Sequence, residues 1–401
     1  MEYFYKLVMV KKSWIYLGTE LKKLREDTLK LSQVEFSKMF EISKSLVCKV
    51  ESGERRYSQE IMDLIFSKFS INRYNQLKFL VLSEQPFNLI NKEEDCFNVI
   101  KLIVELKNKG LYSIAKELIQ KSIDTFDDSV DFYVLLSTVY LIEHKYKESE
   151  ENILLALDLY KAGVKSISKA VDIYHNYGNI FFNMAYSLEV EKMHLVADMV
   201  KESNDNAFIL SNSKYKKLSD KILNLYLKAE EMFIKSHQAD DKDEKTIFQI
   251  AKVYFNIFNL DIKNNTSYIS KSYDYINKYL DLDVIKTNLN YRIEITALLS
   301  ILLLYKDMND TSIILSNTLS GFKPKDPLVY YVRALIYSYI GNNNEELLRK
   351  SIENIKASLE ISNYDEDMIL QIISDLHFEN VRQSEFTKNS FIDLLFNKVK
   401  V

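Results

Sequence analysis

Glycine and proline are scarce in this 401-residue chain, at 7 and 3 residues. Turn-rich β architectures and glycine-rich phosphate loops consume those residues, so their scarcity leaves helices joined by short polar connections. Cysteine is nearly absent too. Cys48 and Cys96 lie far apart and match no metal spacing, which implies a reducing cytosol rather than a disulfide framework. Cys48, beside Val47 and Val50, reads as a small apolar residue of a helix. Neither sign of charge dominates: 53 Lys and Arg face 57 Asp and Glu, for a net charge of −4. A broadly basic coat for nucleic acid is therefore excluded, and any DNA contact must come from a local patch. No segment approaches 18 uninterrupted apolar residues, so no transmembrane helix is expected. The mildly apolar start, Met1 to Val10, carries Glu2 and Lys6 and has no small-residue cleavage site; it reads as an N-terminal arm or a start upstream of Met9, not a signal peptide. The expected compartment is the cytoplasm.

What remains is 47% hydrophobic and 27% charged, the composition of a globular protein. Its length implies two or more folded units, and the long unpunctuated runs of Leu, Ile, Lys, Glu and Tyr imply an all-α fold.

The pattern becomes specific at Leu17, where Leu17, Leu21 and Leu24 recur at helical spacing with Lys22, Lys23 and Arg25 on other faces. Ser32 is an N-cap with Glu35 in the capping-box position, followed by Val34, Phe36 and Met39 as candidate core residues. A turn around Glu41-Ile42 leads to a second N-cap, Ser43, and to a helix with Leu46, Val47 and Val50 on one face. Ser52-Gly53 closes that helix, because Gly accepts the left-handed conformation. Glu54-Arg55-Arg56-Tyr57-Ser58 is a basic loop, and Ile61, Leu64 and Ile65 open a further amphipathic helix. Two short helices joined by a tight turn, the second opening with small polar and basic residues, describe a helix-turn-helix.

On Lys22-Lys23-Leu24-Arg25, Leu31 to Phe36 and Val50 to Arg56, the segment from Leu17 to about Lys68 resembles the Xre/Cro-type helix-turn-helix family. The resemblance implies a five-helix DNA-binding domain in which Gln33 opens the first motif helix against DNA, and Ser43, Lys44, Ser45 and Lys49 enter the major groove. Arg55 and Arg56 would grip the phosphate backbone. For Ser43 and Ser45, helix capping stands beside base reading. The resemblance also implies a structural ion pair of Arg25 with Glu51. The sequence departs from the family pattern at Ser37, for a usual Ala, and at Glu41, for a usual Gly in the turn. Glu35, Glu41, Glu51 and Glu54 offset the cations, so a homodimer on a two-fold operator is expected to supply enough phosphate contacts.

Beyond a connecting region, helical patterning continues to the end. A period near 34 residues is clearest from Phe132 to Tyr160: Tyr133, Leu136, Ser137 and Tyr140 on one helix, His144 and Tyr146 in the turn, Ser149, Ile153 and Ala156 on the second. Lys116 to Ser122, Lys228 to Phe233, Ile250 to Tyr254 and Tyr330 to Ala357 repeat parts of it. This resembles a tetratricopeptide repeat, and implies a right-handed helical solenoid, TPR-like, with a concave face for a peptide or protein. Together the two halves resemble the RRNPP-type peptide-pheromone receptors. That resemblance implies a short signalling peptide as ligand, clamped by Asn amides that donate and accept at once. Asn176, Asn179 and Asn183, and Asn256 and Asn259, recur at helical spacing in aromatic-rich helices; they are either such clamps or solvent-facing residues of an Asn-rich chain. Arg292 and Arg333 are either clamps for a ligand carboxylate or ion-pair members.

The expected organisation is an N-terminal arm over 1–16, a DNA-binding domain over 17–70, a linker helix region over 71–90, and a TPR-like sensing and dimerisation domain over 91–401. His144, His175, His194, His237 and His377 make no metal pattern, and Asp240 to Glu244 reads as a solvated loop. Neither a cofactor nor a membrane partner nor an enzymatic activity is expected. The leading reading is a peptide-responsive transcription regulator. The alternative is a repeat-based adaptor or inhibitor whose helix-turn-helix is autoregulatory or little used.

Overall fold

The computed structural model describes residues 2–126, 129–203, 205–261, 264–282, 289–322, 325–342 and 344–397, with side chains from residue 12 onward save those of residues 289–291, 320, 322 and 397. Among them every regular element is helical and no strand occurs, the all-α class that the composition implies. No described helix is long and apolar enough to cross a membrane. The chain divides into two compact units, Met1–Lys169 and Ala170–Val401.

The first unit runs α1 (Glu2–Lys23, continuing into a π-helical turn over Leu24–Thr28), α2 (Gln33–Met39), α3 (Lys44–Glu51), α4 (Gln59–Phe69), α5 (Arg73–Leu82), α6 (Glu93–Asn108), α7 (Tyr112–Phe126), α8 (Val130–Ile142) and α9 (Tyr146–Lys161). Capping sets these starts. Ser32 and Glu35 form the reciprocal box at α2, Ser43 accepts from Leu46 N at 3.1 Å at α3, and Ser58 caps α4. Gly18 lets α1 lie on α3, since a Cβ there would stand 2.3 Å from the Val50 carbonyl oxygen. Gly53, at φ +77°, closes α3 as the sequence implies. Glu41 takes φ +54°, so the turn keeps the left-handed geometry without the glycine that suits it.

Two expected boundaries move. Residues 2–16 are not an arm but the first two-thirds of α1, anchored by buried Ser13 and Leu17. Residues 71–90 are not a linker, because Leu77 through Leu82 are buried in α5 as an unbroken run. A helix apolar on most faces belongs in a core, and this one joins α1 and α4 to α6 and α7 in a single hydrophobic cluster from Leu17 to Val139. A buried polar group fastens the same junction. Lys78, 5% exposed, pairs with Glu20 and with Glu105 at 2.6 Å, and the Tyr16 and Tyr74 hydroxyls donate to Glu105.

The second unit contains α10 (Ala170–Glu202), α11 (Asn206–Ser211), α12 (Ser213–Ala239), α13 (Glu244–Leu260), α14 (Ser267–Leu280), α15 (Leu289–Leu304), α16 (Asn309–Phe322), α17 (Pro327–Ile340), α18 (Glu345–Ile361) and α19 (Glu366–Ser374). A 3₁₀ turn over Leu376–Phe378 and the short α20 (Glu379–Gln383) and α21 (Lys388–Ile392) follow.

The helical hairpins of both units share a device. In five of them, a buried serine of the second helix donates to a main-chain carbonyl of the first, whereas in α6–α7 the buried Ser122 bonds the Leu118 carbonyl of its own helix. The bonds are Ser149 to Ser137 at 2.8 Å, Ser236 to Val171 at 2.9 Å, Ser272 to Ala251 at 2.9 Å, Ser312 to Ser300 at 2.7 Å and Ser351 to Ala334 at 2.7 Å. All five serines are fully buried. A small side chain lets the backbones approach, and its hydroxyl is satisfied by the carbonyl it meets. The expected repeat over Phe132–Tyr160 is the α8–α9 hairpin, with His144 at φ +58° in its turn. Ile250 to Tyr254 lies in α13, the first helix of its hairpin, and Lys228 to Phe233 in the 27-residue α12.

Candidate functional site

The surface of α3 is built outward from a fixed base. Val47 and Val50 are fully buried, and Arg25, 4% exposed, forks onto Glu51 at 2.6 and 2.9 Å while donating to the Leu31 carbonyl at 2.7 Å. The ion pair that the family resemblance implies is thus present as geometry. Lys44, Ser45, Lys49 and Arg55 are exposed around this base. Lys44 and Lys22 border a hollow of about 360 Å³ beside Gln33.

Three expected contact residues are otherwise engaged. The Gln33 amide donates to Glu51 at 2.8 Å and accepts from Cys48 Sγ at 3.2 Å, so it is turned toward the protein by the buried carboxylate beneath it. Ser43 spends its hydroxyl on capping. Arg56 stays exposed but donates to the Ser83 carbonyl just after α5 and lies 5.6 Å from the Trp14 ring centre of α1. Val34, expected in the core, is 42% exposed, because Phe36 and Phe40 take the inward face of so short a helix. Cys48 is likewise exposed rather than packed.

The second unit encloses a cavity of about 660 Å³, within the ordinary range for ligand sites. Its walls come from α10, α12, α13, α15, α17 and the segment Gln371–His377. Of the asparagines singled out in the sequence, Asn183, Asn256 and Asn259 line it. Asn176 and Asn179 do not: the cavity starts at Phe182, a turn further along α10, and Asn176 donates back to the Asp172 carbonyl at 2.9 Å. Arg292 and Arg333 also lie outside its wall, half-buried in α15 and α17.

The ionisable groups of the cavity were invisible in the sequence, because α10, α13 and the segment after α19 meet only in the fold. Asn256 donates to the buried Tyr226 hydroxyl at 2.9 Å, and that hydroxyl bonds Glu189. Burial raises the Glu189 carboxyl above the usual range and lowers the Lys192 ammonium, each partly countered by the other. Lys252 and Glu294 pair at 3.0 Å between α13 and α15. Burial opposes ionisation of Asp375, yet His377, through charge and hydrogen bonds, and the Tyr331 hydroxyl outweigh it and hold the carboxyl down at about 2. His377 Nδ1 lies 2.6 Å from Asp375 Oδ1. Two buried atoms of this wall, His377 Nε2 and Asn259 Oδ1, have no hydrogen-bond partner. An orphaned polar atom in a cavity wall is a place for a ligand or water. Among the described residues no group of His, Cys, Asp and Glu is arranged to hold a metal.

No protein-family model matches the chain, and no curated protein does. Among solved structures, the C-terminal part of a TPR repeat-containing protein from Cytophaga hutchinsonii is similar at a TM-score of 0.40 and 16% identity, covering 74% of this chain and 99% of that one. The APC/C hetero-tetramer Cut9–Hcn1 is similar at a TM-score of 0.32 and 16% identity, covering 88% of this chain and 68% of that one.

Proposed function

We propose that this chain is a non-catalytic, DNA-binding transcription regulator of the Xre type, governed by a short peptide held in the cavity of its second unit. The observation that carries the reading is the outward face of α3. Val47 and Val50 on its inner side are fully buried and Leu46 half-buried, so Lys44, Ser45 and Lys49 stand on a firm support beside Arg55. Hydroxyl and ammonium groups on such a face suit base edges and phosphates of a major groove. Few cations are on offer, which favours a homodimer on a two-fold operator. The peptide half rests on a recessed cavity that combines aromatic walls with three asparagines.

The test is fluorescence anisotropy of the full-length chain with duplexes from upstream of its own gene, at low salt. Saturable binding that Lys44→Ala with Lys49→Ala weakens supports the reading; no binding to any duplex opposes it. One observation favours an adaptor instead: Gln33 and Arg56 are spent on contacts within the protein. An adaptor would retain peptide while ignoring DNA.

A further inference from the structure

Resting on the peptide reading above, we propose that Lys192 is the seat for a carboxylate of the ligand, a peptide C-terminus or an acidic side chain. Three cations and three carboxylates line the cavity, and two pairs are closed: Lys252 with Glu294 at 3.0 Å and His377 with Asp375 at 2.6 Å. Lys192 and Glu189 remain, three residues apart on α10. They are not joined. Among the described residues nothing hydrogen-bonds or ion-pairs with the Lys192 ammonium, whose Nζ stands 5.8 Å from the ring centre of Tyr215, another residue of the wall. Glu189 instead receives the Tyr226 hydroxyl, and burial raises its carboxyl toward the neutral acid, so it competes weakly for the charge beside it.

An enclosed ammonium without an acceptor is costly, and burial lowers Lys192 accordingly. A ligand carboxylate returns the counter-charge and accepts the hydrogen bonds that the protein withholds. A ligand amine finds no equivalent, because Asp375 and Glu294 hold cations of their own. The other polar groups of the wall suit different parts of a peptide. The Asn183 and Asn256 amide nitrogens already donate to the Asn179 carbonyl at 2.7 Å and the Tyr226 hydroxyl at 2.9 Å. Their amide oxygens, and the unpartnered one of Asn259, are acceptors that suit main-chain N–H groups. Arg292 and Arg333, the cations that the sequence offered for a carboxylate, stand outside this wall, and Lys192 takes that role.

The experiment offers the full-length chain four pools of N-acetylated heptapeptides built from Leu, Ile, Val, Phe and Ala: C-terminal acids, C-terminal amides, amides with one internal Glu, and amides with one internal Lys. Retention is read by ultrafiltration and mass spectrometry. A carboxylate-bearing pool should be retained roughly tenfold over the plain amides, and which one it is separates terminus from side chain. Lys192→Met should bring that ratio to about one while the thermal midpoint holds or rises, because it removes an unpaired charge from a recess. Equal retention of acids, Glu amides and plain amides, or preference for the Lys pool, overturns the carboxylate while leaving the peptide reading standing. A ratio that survives Lys192→Met overturns Lys192 as its seat, and a fall in the midpoint does the same by making Lys192 the structural partner of Glu189. Retention of no pool overturns both.

Discussion

The two regions that carry chemistry in this molecule are built in opposite senses. Around α3, the polar groups point outward and the order beneath them is largely local: Ser43, Val47, Val50, Glu51 and Gly53 fall within eleven residues, with Gly18, Arg25 and Gln33 as the more distant anchors. In the second unit the polar groups point inward, and neighbours in space come from helices up to two hundred residues apart, such as Glu189 and Asp375. An outward surface needs only a firm base, and its cations remain hydrated at little cost. An inward one must satisfy every buried group through tertiary contacts, and the groups it leaves unsatisfied are the informative ones.

The comparison can be strained hardest at the junction of the first unit. Lys78→Met leaves half-buried Glu105 without its cation and half-buried Glu20 with Lys23 alone, and should cost about 3 kcal/mol. Urea unfolding should show the loss across the whole first unit; a loss confined to α5 would mean that α1–α4 and α6–α8 do not share a core. In the second unit, Asp375→Asn should cost about 2 kcal/mol at pH 7, from a carboxyl held at about 2 against an ordinary 3.8. Because the folded value lies below the unfolded one, that stabilisation is complete above pH 4 and fades as pH falls toward 2. Urea midpoints of the two proteins should therefore converge between pH 4 and pH 2, and a constant gap would remove Asp375 as their cause.

A smaller effect tests the outward face. If Lys44 and Lys49 each meet a phosphate, replacing both by Ala should lower the salt slope of DNA binding by about 2 and leave thermal stability unchanged. An unchanged slope would turn them into plain surface charges. Smallest is the hairpin device: Ser351→Ala should cost about 1 kcal/mol. A stabilised Ser351→Ala would show that the serine is present for its size alone.

Much of the first unit was legible for a physical reason. Caps, a closing glycine and a short apolar face act within one or two helical turns, so Ser32, Ser43 and Gly53 announce the elements they bound. The side chains above them were harder. Gln33 and Arg56 are polar residues in suitable places, yet buried Glu51 and the Ser83 carbonyl claim them. In the repeats, Ser149 and Ala156 marked one hairpin, whereas Ser272, Ser312 and Ser351 went unnoticed. They recur at 40 and 39 residues, by subtraction of their numbers, off the period of 34 that a tetratricopeptide pattern suggests. Their partners are carbonyls, which leave no trace in residue identity.

The amino-acid order alone determined the helical class, the starts of α2 and α3, and the inner face of α3, since each depends on groups a few residues apart. Only the tertiary structure decided where the units divide, that α5 is core, which asparagines share a cavity, and that Glu189, Lys192, Asp375 and His377 surround it. Those outcomes depend on which helices lie beside one another, and burial, which sets the energy of every charge in the cavity, is a property of neighbours that no single segment contains.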